Sequence, residues 1–277
     1  MTQTLDSAEF AKRCLRHRRR ILDVSQTVSA LHIAPAYSCL EIVDAIYHGL
    51  MVFGDEGIAR DVFIMSKGHG YLAQLVVLED LGLLPQEYLD TYCTPRGVLG
   101  AHPDIGTPGI TAATGSLGHG LSIGLGISIA ERNIARPHGT EPGTVYVVLS
   151  DGELQEGSTW EAVLLASSLG ATNLVAIVDN NDFQSLGRTS ETHPSFYPLV
   201  EKFQSFGWDS VEVPGHDPLE LINVIAGRTG ERPMMVVAKT TKGKGVSFME
   251  NVPMWHYRSP SPEEFQTAVA ELDAARG

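Results

Sequence analysis

Two hydrophobic periodicities take turns along the chain. Short β-rich runs occur at Val62–Met65, Thr144–Leu149, Leu174–Val178, Ser210–Val213 and Met234–Ala238. Between and after them, segments such as Trp160–Leu169, Phe196–Phe206 and Leu219–Ile225 carry apolar residues at helical spacing. Strands that alternate with helices argue for βαβ units and a sheet covered on both faces. The pattern therefore predicts an α/β fold, a mostly parallel, doubly wound sheet with helices on both faces. In such sheets ligands sit beyond the carboxyl ends of the strands. Near the C-terminus, Ser261-Pro262-Glu263-Glu264 has the form of a capping box with proline at the first helical position, and Phe265 and Leu272 supply an apolar stripe. A structural tail helix is expected near 261–275. There is no internal repeat and no low-complexity segment.

Composition narrows the function classes. The chain has 277 residues, 43% of them hydrophobic and 19% charged, which is enough for a sizeable core in one large domain or two small ones. A net charge of −13 argues against nucleic acid or an anionic membrane as the main partner. The basic cluster of Lys12, Arg13, Arg16, Arg18, Arg19 and Arg20 falls in a helical pattern and is expected to be a solvated face or subunit contact. Cys14, Cys39 and Cys93 show no CxxC spacing, so neither a disulfide framework nor a zinc site is expected. No apolar run approaches membrane-span length and the N-terminus lacks a signal-peptide core. A soluble, cytoplasmic protein is expected.

Candidate chemistry gathers at two strand ends. Asp151-Gly152 follows one apolar run and Asp179-Asn180-Asn181 the next. Asp-Gly is a common turn pair and Asp can cap a helix. A second reading is metal binding. Asp151 and Asn181 lie about thirty residues apart, one strand-helix-strand step, which brings both to neighbouring strand ends. A carboxylate, an amide oxygen and nearby carbonyls are ligands that Mg²⁺ or Ca²⁺ accepts, with substrate phosphates completing the shell. Gly152, at the start of the next helix, would turn its N–H toward a phosphate. His32, His69, His102 and His256 each sit in a loop-like segment, where histidine can donate to phosphate or sugar oxygens and move protons near neutral pH; a lone histidine is more often structural. The Gly- and Ser-rich stretch 115–130 contains Gly120-Leu121-Ser122-Ile123-Gly124, a hydrolase-elbow pattern, but no strand precedes it. Ser122 is expected at a tight helix contact.

The segments SKGHG (66–70), HPD (102–104), TGSLGHGLS (114–122), DGELQEGSTWEA (151–162), DNNDFQ (179–184) and KTTKGKGVSFME with WH (239–256) occur in this order. Together they resemble the thiamine-diphosphate-binding half of transketolase, from about residue 8 to about 270. The resemblance implies a single thiamine-diphosphate-binding domain over 1–277, with the pyrimidine-binding domain absent from this chain. It implies that Asp151, Asn181 and the Phe183 carbonyl bind Mg²⁺, and that Gly152, Asn181, His69 and His256 contact the diphosphate. Gly115, Ser116 and Leu117 would lie against the thiazolium, and His32, His102 and His256 would face the sugar. Glu156 and Glu161 match acids at the family's subunit contact; a solvated helix position is the alternative for Glu161. The missing domain supplies the family's glutamate that activates the aminopyrimidine. The resemblance thus implies the N-terminal subunit of a split transketolase, a dimer within a heterotetramer with a separate C-terminal subunit, and negligible turnover by this chain alone.

Some positions depart from the family pattern. Tyr37, in the run Ala34-Pro35-Ala36-Tyr37-Ser38 after His32, is bulky where a small residue is usual, and is expected near the substrate channel. Ser150 replaces glycine, and His119 stands where glutamine is common. Sugar phosphates are the default substrates. The alternatives are a related 2-keto acid decarboxylase or acyloin synthase, a non-catalytic cofactor-binding subunit, and a metal-dependent hydrolase built on Asp151.

Overall fold

A computed structural model describes residues 6–53, 60–185 and 187–275. The strands are β1 (Val62–Met65), β2 (Val145–Ser150), β3 (Leu174–Asn180), β4 (Phe183–Gln184), β5 (Gly187–Arg188), β6 (Asp209–Pro214) and β7 (Met234–Lys239). The α-helices are α1 (Ser7–Val24), α2 (Ile33–Ala45), α3 (Tyr71–Asp80), α4 (Gln86–Asp90), α5 (Gly120–His138), α6 (Gly157–Ser168), α7 (Thr189–Thr192), α8 (Leu199–Ser205), α9 (Pro218–Ala226) and α10 (Pro262–Ala274). The main sheet runs β1-β2-β3-β7-β6, and every neighbouring pair is parallel. β4 and β5 form a small antiparallel hairpin.

Side-chain alternation explains why the central strands are apolar throughout. Phe63, Tyr146, Val148, Val175, Ile177 and Val236 enter one core with α1, α2, α3, α9 and α10. Ile64, Val147, Leu149, Ala176, Val178 and Val237 enter the other, with α5, α6 and α8. Successive residues point to opposite faces, so a sheet with two covered faces needs apolar side chains in both phases. Fully burying one such Val or Leu contributes roughly 1.5–3 kcal/mol. Register then levels the strand ends: Ser150 lies beside Asp179, and Asp179 beside Ala238.

Several expectations change. The helix expected from Phe196 starts at Leu199, because Pro198 disfavours helical geometry in the residue before it; Pro194–Phe196 form a separate turn. β2, β3 and β7 reach one or two residues further than their apolar runs, into polar residues whose backbones still pair, and β6 gains Asp209 and Pro214. The basic cluster in α1 splits: Lys12 and Arg16 are exposed, as a solvated face requires, but Arg13 and Arg18 are buried. Arg13 pairs with Asp44 at 2.7 Å and Arg18 with Glu41 at 2.6 Å, both buried, while Arg20 binds Glu79 and Asp90. Tyr37 is not in a channel: it lies inside α2, wholly buried, and its hydroxyl donates to the Arg18 carbonyl at 2.7 Å. Ser122 is exposed, and the tight packing of α5 falls instead on Gly120 and Gly124, where a β-carbon at Gly124 would meet Val147 at 2.6 Å. At α10, Ser261 and Glu264 form a complete capping box.

Candidate functional site

Four parallel strands deliver their following loops to one cleft. After β1 comes Ser66-Lys67-Gly68-His69, after β2 Asp151-Gly152, after β3 Asn181-Asp182-Phe183, and after β7 Thr240-Thr241-Lys242. The cleft holds about 340 Å³ and is lined by residues from all four. Its floor is ionic. Lys67 pairs with Asp179, with both side chains fully buried, and also donates to the Pro35 carbonyl at 3.2 Å. Asp179 further accepts from Ser38 at 2.8 Å, from Thr240 and from Asn181 at 3.3 Å. Burial disfavours the charge on Lys67, but the Asp179 carboxylate outweighs it and holds the ammonium above the ordinary lysine range.

Asp151, Asn181 and Phe183 meet at this floor. Asp151 is buried and accepts from Gly152 N at 2.8 Å and Asp182 N at 2.5 Å. Asn181 Oδ1 accepts from Phe183 N at 2.9 Å, and Asp182, at φ 68°, is pinned by Ser190 and Arg188. The two turns touch: a β-carbon on Gly152 would lie 3.1 Å from Gln184 Cβ and 3.7 Å from the Phe183 carbonyl oxygen. Burial, and after it the Asp179 carboxylate, pushes the Asp151 carboxyl up to about 7. A buried carboxylate, an amide oxygen and a main-chain carbonyl make an oxygen set that fits a hard divalent cation. Among the described residues no group of three or more His, Cys, Asp or Glu is arranged to hold a metal. Gly152 opens a short 3₁₀ turn, Gly152–Gln155, rather than α6. Its N–H is donated to Asp151, so it is not free for a phosphate as expected.

The four loop histidines form one cluster over the floor. The His32 ring lies 5.3 Å from His102, 5.4 Å from His256 and 6.1 Å from His69, and His69 lies 5.4 Å from His256. Burial, followed by the repulsion that neighbouring His256 and His102 would exert if protonated, lowers His32 to about 3. Burial and Lys242 lower His256 to about 4, and burial lowers His69 and His102. All four are therefore neutral at neutral pH. Lys242 donates to His256 Nδ1 at 3.1 Å and to the Ser185 carbonyl at 3.0 Å. Lys242 Nζ also lies 5.1 Å from the centre of the Phe183 ring. Burial and then the Lys67 charge lower Lys242 to about 8.

The Gly115 loop closes another wall. Gly115 has φ +133°, and a β-carbon there would meet His102 Cγ at 2.9 Å, so only glycine fits beside that histidine. Gly115 and Leu117 line the cleft, while Ser116 is exposed and is not among the lining residues. Glu156 is exposed at the cleft edge, and Glu161 is exposed on α6 away from the lining.

Three site residues carry no signal of their own in the sequence: Lys67, Lys242 and Glu153. Buried Glu153 accepts from Ser66 and from Gly118 N at 2.9 Å, tying the loops after β1 and before α5 to the Asp151 turn. All three lie inside the quoted motifs, each a charged residue just beyond an apolar strand.

Fold and cleft together define a doubly wound α/β domain with a polar, oxygen-rich site at the carboxyl edge of its sheet. The family model for "Transketolase, thiamine diphosphate binding domain" matches residues 16–267. One subunit of the apulose-4-phosphate transketolase of Phocaeicola vulgatus is 37% identical over 262 residues, covering 93% of this chain and 91% of the relative. The 6-deoxy-6-sulfo-D-fructose transketolase subunit SqwG of a Clostridium species is 36% identical, covering 87% and 88%. Among solved structures, transketolase from Leishmania mexicana superposes with a TM-score of 0.87 at 26% identity, over 98% of this chain but 42% of that one. The chain spans about two fifths of the length of such full transketolases. It belongs to the transketolase family, a family of transferases, and corresponds to its N-terminal, thiamine-diphosphate-binding part.

Proposed function

We propose that this chain works with a separate C-terminal, pyrimidine-binding subunit to move a two-carbon ketol unit from a ketose or ketose phosphate to an aldose or aldose phosphate. The assembly is a heterotetramer built on a dimer of this chain, with Glu156 and Glu161 near the contact. Three free cysteines, two of them buried, suit a reducing cytoplasm. The observation that carries the reading is one cleft in which Asn181 and Phe183 lie with four clustered histidines, with the Asp151 carboxylate buried directly behind their turn and bonded to it through Asp182 N.

When bound, thiamine diphosphate supplies the nucleophilic carbon and electron sink that breaking a ketose C–C bond requires. Asp151, Asn181 and the Phe183 carbonyl would hold Mg²⁺, or Ca²⁺ in its place, and the ion would supply positive charge for the diphosphate. His69 and His256 contact the diphosphate, and Lys242 adds a positive charge beside it. Gly152 lines the same cleft; its N–H is donated to Asp151 and would have to leave it to reach the diphosphate. Gly115 and Leu117 would form the wall for the thiazolium, with Ser116 exposed between them. Lys242 donates to His256 Nδ1, so Nε2 carries the proton and acts as a donor. His32 and His102 are neutral and would orient sugar hydroxyls, and His32 Nδ1 is buried without a hydrogen-bond partner among the described residues. A neutral imidazole both accepts and donates, which suits proton movement at a hydroxyl without a fixed charge.

Calorimetric titration of thiamine diphosphate with Mg²⁺, into the chain together with its partner, tests this reading. Wild type should bind and Asp151→Ala should not. No binding by wild type in the presence of the partner would sink it. Turnover of a ketose without CO₂ release separates ketol transfer from a 2-keto acid reaction. The chain alone should turn over negligibly.

A further inference from the structure

The loop that presents Lys242 is held from outside the cleft. β6 and β7 are neighbours, and Pro214 lies in register with Lys239, so the residues following each strand run side by side. His216, after β6, accepts from Thr241 N through Nε2 at 2.8 Å. Its Nδ1 lies 2.8 Å from Glu41 Oε2. Nε2 is an acceptor here, so the ring proton sits on Nδ1 and is donated to Glu41. Glu41 is held in turn by Arg18 at 2.6 Å, and Arg18 Nε donates to the Lys244 carbonyl at 2.8 Å. Arg18 and Glu41 thus grip both ends of the segment 241–244. None of Arg18, Glu41 and His216 lines the cofactor cleft; they face a separate cavity of about 370 Å³, beside Phe10 and Cys14.

We propose that His216 is a positioning residue. Anchored by Glu41 and Arg18, it fixes the Thr241 amide, and so sets where Lys242 meets His256 and the Ser185 carbonyl. The link to cofactor affinity rests on the function proposed above; the link to loop order does not. An imidazole tied to a carboxylate suits this task because its acceptor stays on Nε2 only while the carboxylate holds the proton on Nδ1.

Hydrogen exchange at the Thr241 amide, read in wild type, His216→Ala and His216→Gln, tests the anchor with no cofactor present. Removing the acceptor should speed Thr241 exchange about tenfold, the worth of one half-buried hydrogen bond, while β3 amides such as Ile177 are unmoved. The glutamine variant, whose amide oxygen reaches the position of Nε2, should restore slow exchange. Titration of thiamine diphosphate with Mg²⁺ and the partner should then show affinity about tenfold weaker for His216→Ala, recovered in His216→Gln. Unchanged Thr241 exchange in His216→Ala overturns the anchor. Faster exchange with unchanged affinity overturns the coupling. If His216→Ala does not fold, Glu41→Gln replaces it: faster Thr241 exchange supports the proposal and unchanged exchange overturns it. Failure of the wild type to bind cofactor would defeat the proposed function and leave the exchange result standing.

Discussion

The pair of Lys67 and Asp179 is the floor of the cleft, and both side chains are fully buried. Consider Lys67→Met, which keeps most of the stem and removes the charge. Asp179 retains neutral donors in Ser38, Thr240 and Asn181, but loses its only hydrogen-bonded cation among the described residues. The Pro35 carbonyl loses its donor as well. Breaking one side of a buried pair costs about 3–5 kcal/mol, because a desolvated charge is left uncompensated. Domains are stable by roughly 5–15 kcal/mol, so the variant should be gravely weakened. Adding Asp179→Asn removes the stranded charge and should return more than half of the loss. Urea unfolding at pH 7.5 of wild type, Lys67→Met and the double variant reads all three values. A cost under about 1 kcal/mol, or no recovery in the double variant, would refute the assignment of Lys67 as the neutralising charge.

Two further outcomes follow from the same geometry. Gly115→Ala forces a β-carbon against His102 at φ +133°, so it should cost about 1–3 kcal/mol in thermal unfolding and lower kcat/KM of the assembled enzyme; unaltered kinetics would refute the contact. Burial alone would raise Glu41, but Arg18 and His216 outweigh it and hold the carboxyl at about 2, under its ordinary 4.5. Its stabilisation is whole above pH 4.5 and fades as pH falls toward 2, a full swing of about 3 kcal/mol. The stability gap between wild type and Glu41→Gln should therefore narrow below pH 4.5, and a gap that ignores pH would refute the pairing.

The five main strands are legible because a sheet covered on both faces must be apolar in both side-chain phases, and that survives in a linear string. Their ends are less legible, since Ser150, Asn180 and Lys239 pair through backbone while their side chains read as loop. The start of α8 is misplaced from sequence because apolar spacing over Phe196–Phe206 outvotes Pro198. Asp151, Asn181 and the loop histidines stand out as polar residues at strand exits or in Gly- and Pro-rich turns; the structure gathers Asn181 and those four histidines about one cleft and buries Asp151 behind it, bonded to Asp182 N. Tyr37 misleads because sequence neighbourhood to His32 says nothing about direction: His32 faces the cleft from the cap of α2, while Tyr37 points to the opposite side, onto α1.

The sequence by itself determined the parallel architecture, the family and the oxygen donors at two strand ends, since each depends on local periodicity or on residues adjacent in the chain. Only the tertiary structure decided which polar and charged groups hold one another. Arg18, Glu41, His216 and Lys244 are scattered from one end of the chain to the other, as are Lys67 and Asp179, and no spacing rule connects them. Parallel strands bring such residues together only after long crossovers are complete, and electrostatic pairing depends on distance through space and on burial, neither of which a linear string contains.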